Sequence, residues 1–200
     1  MFAVMTLFPL SERPLLRGPV ALSHIMLHDF VRSGDKVVDA TCGNGHDTLL
    51  LAGLVGSEGR VWGFDIQQQG IAETSRKLIE AGVEGQVTLV HSGHELMAEC
   101  LFEPVQIVLF NLGYLPGGDR LLITRPETTV AALQQSLELL VPGGITMVTI
   151  YPGHCGGNEE RQAVDGWATV LDPRKFYSWR MGQMNVAPNA PYCIIVQKAL

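Results

Sequence analysis

Two glycines spaced two apart, followed directly by a histidine and an aspartate, make the segment of this chain best suited to hold a ligand. In Asp39-Ala40-Thr41-Cys42-Gly43-Asn44-Gly45-His46-Asp47-Thr48, Gly43 and Gly45 let the backbone turn tightly and approach a bound group where a strand gives way to a helix N-terminus. Asp65 follows about twenty residues on, where a carboxylate can accept hydrogen bonds from both hydroxyls of a ribose. Gln67, beside it, is placed to cover the ribose or the adenine. This is the pattern of an adenine-nucleoside site, and the acid serves NAD and S-adenosylmethionine (SAM) equally, because both present the same ribose. Thr48 stands where the third glycine of a dinucleotide fingerprint would fall, which counts against NAD. SAM has no pyrophosphate, so polar side chains can do more of the gripping: Thr41, Asn44 and His46, with Asp47 for the cationic methionine end. The plainer reading of Asp47 is a helix cap, favoured by the free N–H groups and the dipole there.

Two further loops belong to the same site, the second opening on Asn111, which is expected to touch the cofactor as well as the acceptor. Ser92, Gly93 and His94 follow the third predicted strand, where a doubly wound sheet brings the adenine against the next loop. The fourth strand runs into Asn111-Leu112-Gly113-Tyr114-Leu115-Pro116-Gly117-Gly118-Asp119, which looks like the Asn-Pro-Pro-Tyr segment of amino-group methyltransferases. There the Asn amide oxygen accepts hydrogens from the target nitrogen, and Tyr114 would stack on a planar base. Methyl transfer from a sulfonium is an in-line displacement, so the acceptor nitrogen needs a lone pair aimed along the carbon–sulfur axis. An alkylammonium must first lose a proton, and Asp119 or His154 are the expected acceptors. The bland alternative makes Asn111 and Tyr114 a turn with a packed aromatic. Histidine and cysteine spacings match no zinc pattern, so no metal is expected.

The elements that position these loops are read from periodicity. Short β-branched runs at 37–40, 61–64, 87–90, 105–110 and 145–150 suit strands buried on both faces. Between them, 47–54, 68–81, 95–101 and 127–140 carry apolar residues at helical spacing, with Pro142-Gly143-Gly144 predicted to end the last helix. A helix opened by Pro19 leads into the first strand; after the fifth come a helix at 159–171 and two strands, 176–181 and 192–197, read as an antiparallel hairpin. The prediction is one α/β domain over 1–200, a Rossmann-like, doubly wound, mostly parallel seven-stranded sheet, preceded by an N-terminal extension at 1–18.

With 46% hydrophobic and 17% charged residues, the chain has apolar surface enough to order itself. The apolar start at Met1–Leu10 lacks a basic leader and meets Pro9, Ser11, Glu12 and Arg13 before it could span a bilayer, so a cytoplasmic protein is expected. Four scattered cysteines suggest no disulfide framework. A net charge of −6 disfavours broad attraction to a polyanion, so an RNA substrate would need local contacts. Arg120, Arg125, Arg174, Lys175 and Arg180 could supply them, with Tyr114, Tyr151 and Trp179 as stacking candidates for unstacked bases.

The motifs together resemble the bacterial rRNA methylase family of class I SAM-dependent methyltransferases. The resemblance spans about Pro19 to Lys198 and includes Phe64-Asp65-Ile66-Gln67, Arg125-Pro126-Glu127-Thr128-Thr129, Gly153-His154 with Gly156-Gly157, and Gln183-x-Asn185 with Pro188 and Pro191. Cys42 stands where relatives more often have Met, and Pro152 and Cys155 alter the surroundings of His154, which weakens the carry-over of a role to that histidine. The family includes the enzyme that methylates the 5-aminomethyl group of 2-thiouridine at the tRNA wobble position. The resemblance therefore implies SAM as cofactor and a tRNA anticodon loop as substrate; a homodimer is compatible with it. Read from the residues alone, an rRNA or small-molecule amine acceptor, an NAD-linked oxidoreductase and a catalytically silent SAM- or RNA-binding module stay open.

Overall fold

The computed structural model describes residues 15–119, 121–154 and 156–200; most of the expected N-terminal extension lies outside them, as do Arg120 and Cys155. Among the described residues, seven strands form one sheet: β1 (Lys36–Asp39), β2 (Arg60–Asp65), β3 (Val87–His91), β4 (Val105–Asn111), β5 (Leu140–Ile150), β6 (Phe176–Gly182) and β7 (Tyr192–Lys198). Their order is β3-β2-β1-β4-β5-β7-β6. Strands β1 to β5 run parallel, β7 lies antiparallel to β5, and β6 antiparallel to β7. The chain builds outward from β1 to β3 and then returns to place β4 beside β1. The loops leaving β1 and β4 therefore diverge, which creates the crevice where open α/β sheets bind ligands.

The helices are α1 (Pro19–Phe30), α2 (His46–Val55), α3 (Gln68–Ala81), a short α4 (Met97–Cys100), α5 (Pro126–Leu139) and α6 (Gly157–Thr169). Prolines open α1 and α5, where a missing N–H costs nothing. Helix α3 stops at Gly82, whose left-handed backbone (φ 67°) turns its N–H back onto Ile79. Both sheet faces are covered. Along β4, Ile107 and Leu109 point into the layer shared with Leu27 of α1 and Leu51 of α2, while Val108 and Phe110 face Leu133 of α5 and Trp167 of α6. That alternation within one continuous apolar run is the mark of a central parallel strand.

Three expectations need correction. Helix α5 ends at Leu139, and Pro142-Gly143-Gly144 lies inside β5 rather than in a turn before it. Leu140 pairs with Val105 and Ile145 with Ile107, so the proline and glycines form a bulge, where a residue without an N–H is tolerated. Lys198 Nζ donates to the carbonyls of Leu137 (3.1 Å) and Leu140 (2.7 Å), satisfying the end of α5 without a glycine cap. The predicted 95–101 helix is a 3₁₀ turn over His94–Leu96 followed by the single turn of α4. The edge strand β3 is not buried on both faces, and β6 is largely exposed, with Trp179 67% accessible. No helix of the described residues is long and apolar enough to cross a membrane.

Candidate active site

The crevice between β1 and β4 opens a cavity of about 410 Å³, within the roughly 300–1,000 Å³ usual for small-ligand sites. Its floor is the loop after β1. Gly45 (φ 78°) precedes α2 in a left-handed conformation, and a Cβ there would stand 2.9 Å from the Cα of Thr74. Gly43 turns with φ 49°. The loop is clamped from several sides. Asp65 accepts the N–H of Gly43 (2.9 Å) through Oδ2 and that of Gln67 (2.7 Å) through Oδ1. Thr74 Oγ1 donates to the Gly43 carbonyl (2.8 Å), and Lys77 Nζ donates to the Asn44 carbonyl (2.8 Å). Both come from α3, which lies close because Gly70 is there: a Cβ on Gly70 would be 2.9 Å from the Gly43 oxygen.

Of the predicted cofactor residues, Thr41, Gly43, Asn44, His46, Asp47 and Asp65 line this cavity, and so do Gln67, Ser92, Gly93, His94 and Asn111. Gly45 shapes it from behind. Two of these side chains tie the site together. Asn44 Nδ2 donates to the Pro116 carbonyl (3.0 Å), and the Gln67 amide accepts the Asp119 N–H (3.3 Å), so the loops after β1 and β2 are each tied to the loop after β4. His94 is buried edge-on against Phe110 at 5.6 Å, and burial holds its imidazole below its ordinary pKa, that is, neutral. Its Nε2 is buried and makes no hydrogen bond among the described residues, leaving a polar atom ready for a ligand base.

The loop after β4 is fixed with equal care. The Asn111 N–H donates to Thr41 Oγ1 (2.7 Å), and its side-chain Nδ2 donates to Asp47 Oδ2 (2.7 Å). A carboxylate only accepts, so the amide nitrogen must face Asp47 and Oδ1 must face away from it. Asp47 is not an N-cap: Gly45 holds that position, and the second carboxylate oxygen takes His24 Nε2 at 2.7 Å. Tyr114 lines the cavity and lies edge-on to His154 at 5.9 Å. Behind them, Gly113 N–H donates to Thr124 Oγ1 (2.8 Å), which donates to Glu160 (2.7 Å); Thr129 donates to the other oxygen of Glu160 (2.7 Å). Burial pushes the Glu160 carboxyl up, against the pull of those two hydroxyls.

Neither expected proton acceptor is among the residues that line the cavity: the Asp119 carboxylate accepts the N–H of Leu121 (2.9 Å) in its own loop, and His154 lies next to Gly113 and edge-on to Tyr114. Sequence reasoning missed His24, Thr74, Lys77, Thr124 and Glu160, all of which act across long chain separations. The spacing of Gly70, Thr74 and Lys77 along one face of α3 was the available signal for two of them. Among the described residues, no three His, Cys, Asp or Glu side chains gather as a metal site.

Asp39, at the end of β1, is fully buried and accepts Thr48 Oγ1 at 2.6 Å. Burial, reinforced by the charge on Asp47, pushes its carboxyl from 3.8 up to about 7. Between those values the folded state keeps a proton that the unfolded chain has lost, so this group's contribution to stability is complete below pH 3.8 and disappears as pH rises through about 7. The isosteric Asp39→Asn variant is therefore expected to gain on wild type in Tm by several degrees between about pH 5 and about pH 8. Melting curves that keep a constant offset across that interval would contradict the shift.

A seven-stranded sheet with a reversed β7, a glycine loop after β1, an acid after β2 and an Asn-led loop after β4 define a class I SAM-dependent methyltransferase. The chain belongs to the family described as "Putative rRNA methylase", which matches residues 61–197. It is 36% identical to the chloroplastic tRNA (mnm(5)s(2)U34)-methyltransferase of Arabidopsis thaliana, over 88% of this chain and 68% of that protein. Among solved structures, one from Clostridium thermocellum described as a "putative rRNA-methylase" superimposes with a TM-score of 0.89 at 46% identity, covering 92% of this chain and 99% of the other. One from Streptococcus mutans, described as a "putative methyltransferase" and in complex with SAH, does so with a TM-score of 0.83 at 31% identity, with the same coverage.

Proposed function

We propose that this protein uses SAM to methylate the 5-aminomethyl group of 2-thiouridine at the wobble position of tRNA, giving 5-methylaminomethyl-2-thiouridine. The observation that carries the reading is the Asn111 amide, held by its nitrogen on Asp47 beside Tyr114, with its oxygen left to accept a hydrogen from an amine. The similarity to the Arabidopsis enzyme, named for that nucleoside, supports the same acceptor.

SAM would supply an electrophilic methyl group on a sulfonium. The residues present suit it: Asp65 at the end of β2 for the ribose hydroxyls, the unpartnered His94 Nε2 for the adenine, and Asp47 for the methionine ammonium. The chain's own contribution to transfer is then positional. Asn111 Oδ1 accepts an N–H of the neutral amine and so aims the nitrogen lone pair, and Tyr114, 41% exposed at the cavity mouth, offers a flat face for the uracil ring. Arg125, which also lines the cavity, is available to a phosphate of the anticodon loop. The cytoplasm suits such a substrate.

Calorimetric titration separates the cofactor part of this reading from its nearest rival. SAM is expected to bind with a dissociation constant on the order of micromolar and NAD not measurably. The reverse order would end the methyltransferase reading. Transfer of labelled methyl from SAM is expected to favour tRNA carrying the free 5-aminomethyl group over rRNA and over small amines; a preference for either of those would move the acceptor assignment to it.

A further inference from the structure

Asp47 is held from two sides, and one of its partners has no part in the cofactor site or in the acceptor contact described above. His24 projects from α1, a helix anchored in the core by the fully buried Leu27, and its Nε2 lies 2.7 Å from Asp47 Oδ1. Asn111 Nδ2 lies 2.7 Å from the other oxygen, Oδ2. The three side chains form a line, His24–Asp47–Asn111, running from a partly exposed imidazole to the amide at the cavity. A carboxylate gripped through one oxygen alone can rotate about its side-chain torsions; gripped through both, it presents Oδ2 in one place. That placement fixes which way the Asn111 amide faces, because only the nitrogen end can approach an acceptor.

We propose that His24 is a positioning residue for methyl transfer, holding Asp47 so that Asp47 holds the Asn111 amide with its oxygen turned toward the acceptor amine. This rests on the amine-methylating reading of the site and adds a residue from an element that neither the glycine loop nor the loop after β4 contains. The demand on His24 is geometric: a donor nitrogen at the position of Nε2. Glutamine can place its amide nitrogen near that point, asparagine falls short of it, and leucine removes the donor.

The test compares His24→Leu, His24→Asn and His24→Gln by three measurements on the full chain. These are kcat on aminomethyl-bearing tRNA at saturating SAM, the SAM dissociation constant by calorimetry, and the Asn111 side-chain amide signals in a ¹H–¹⁵N spectrum, assigned by their loss in Asn111→Ala. In His24→Leu and His24→Asn, kcat at saturating SAM is expected to fall roughly tenfold and the Asn111 amide signals to move or broaden, with SAM affinity lowered by no more than about three-fold, since Asp47 keeps its charge beside the methionine ammonium. His24→Gln is expected to keep both the rate and the signals. Asparagine and glutamine variants that behave alike would overturn the inference even if the leucine variant fails to fold. So would a weakened SAM affinity with unchanged kcat, which would assign His24 to the cofactor instead. If the wild-type protein leaves that tRNA unmethylated, the functional reading fails by itself, while the amide signals still decide whether His24 orients Asn111.

Discussion

Asn111→Ala is expected to lower kcat for methyl transfer by roughly 10²–10³-fold while leaving the fold intact and SAM binding within a few-fold of wild type. The backbone of Asn111 keeps its bond to Thr41 Oγ1 whatever the side chain, so the strand end and the cavity floor stay in place. What disappears is the oxygen that aims the amine and the nitrogen that covers Asp47 Oδ2. Asn111→Asp is expected to be no better, because it sets a second carboxylate where a donor met Asp47 at 2.7 Å. Single-turnover rates with saturating SAM, alongside calorimetric SAM titration, check both variants. An Asn111→Ala enzyme of near wild-type kcat would remove the amide from the mechanism.

The second large effect falls on Gly45. Alanine there must adopt a left-handed backbone, at roughly 1–2 kcal/mol. Its Cβ also meets Thr74, with Oγ1 at 2.7 Å and the backbone Cα at 2.9 Å. The Thr74 side chain cannot relieve the contact by turning, since its backbone is part of the obstacle, and its hydroxyl is engaged with the Gly43 carbonyl. The loop and α3 must separate, which loosens the backbone that approaches the cofactor. Gly45→Ala is expected to weaken SAM binding by about 100-fold or more and to lower Tm by roughly 5–10 °C. Gly53→Ala is the control. Gly53 lies within α2, where an added Cβ meets nothing within 4 Å, so that variant is expected to match or exceed wild-type stability. Equal behaviour of the two variants by calorimetry and thermal melting would mean that the loop does not depend on this approach.

The strands around the site were legible because each is a short β-branched run, and α3 falls on 68–81 as its spacing predicts. The glycine loop was legible because glycines and an acid at those intervals answer a local demand of the backbone. What could not be read was set by distant partners. Pro142-Gly143-Gly144 has the composition of a turn, yet a bulge against β4 accepts it, and Lys198 from the far end of the chain satisfies the helix before it. Asn44 and Gln67 were expected to touch the cofactor; both line the cavity, but their amides also join two loops. Asp119 and His154 were chosen for their chemistry, and the fold keeps both off the cavity wall. His24 lies in a helix whose sequence pattern marks only its apolar stripe, so nothing in that pattern points to Asp47.

Nucleoside mass spectrometry after incubating the protein and SAM with tRNA bearing unmethylated 5-aminomethyl-2-thiouridine decides whether that amine is the methyl acceptor. The wild-type protein is expected to convert that nucleoside to 5-methylaminomethyl-2-thiouridine, and Asn111→Ala is expected to leave it unconverted. If SAM binds yet the 5-aminomethyl nucleoside persists unchanged, the wobble-uridine assignment is wrong.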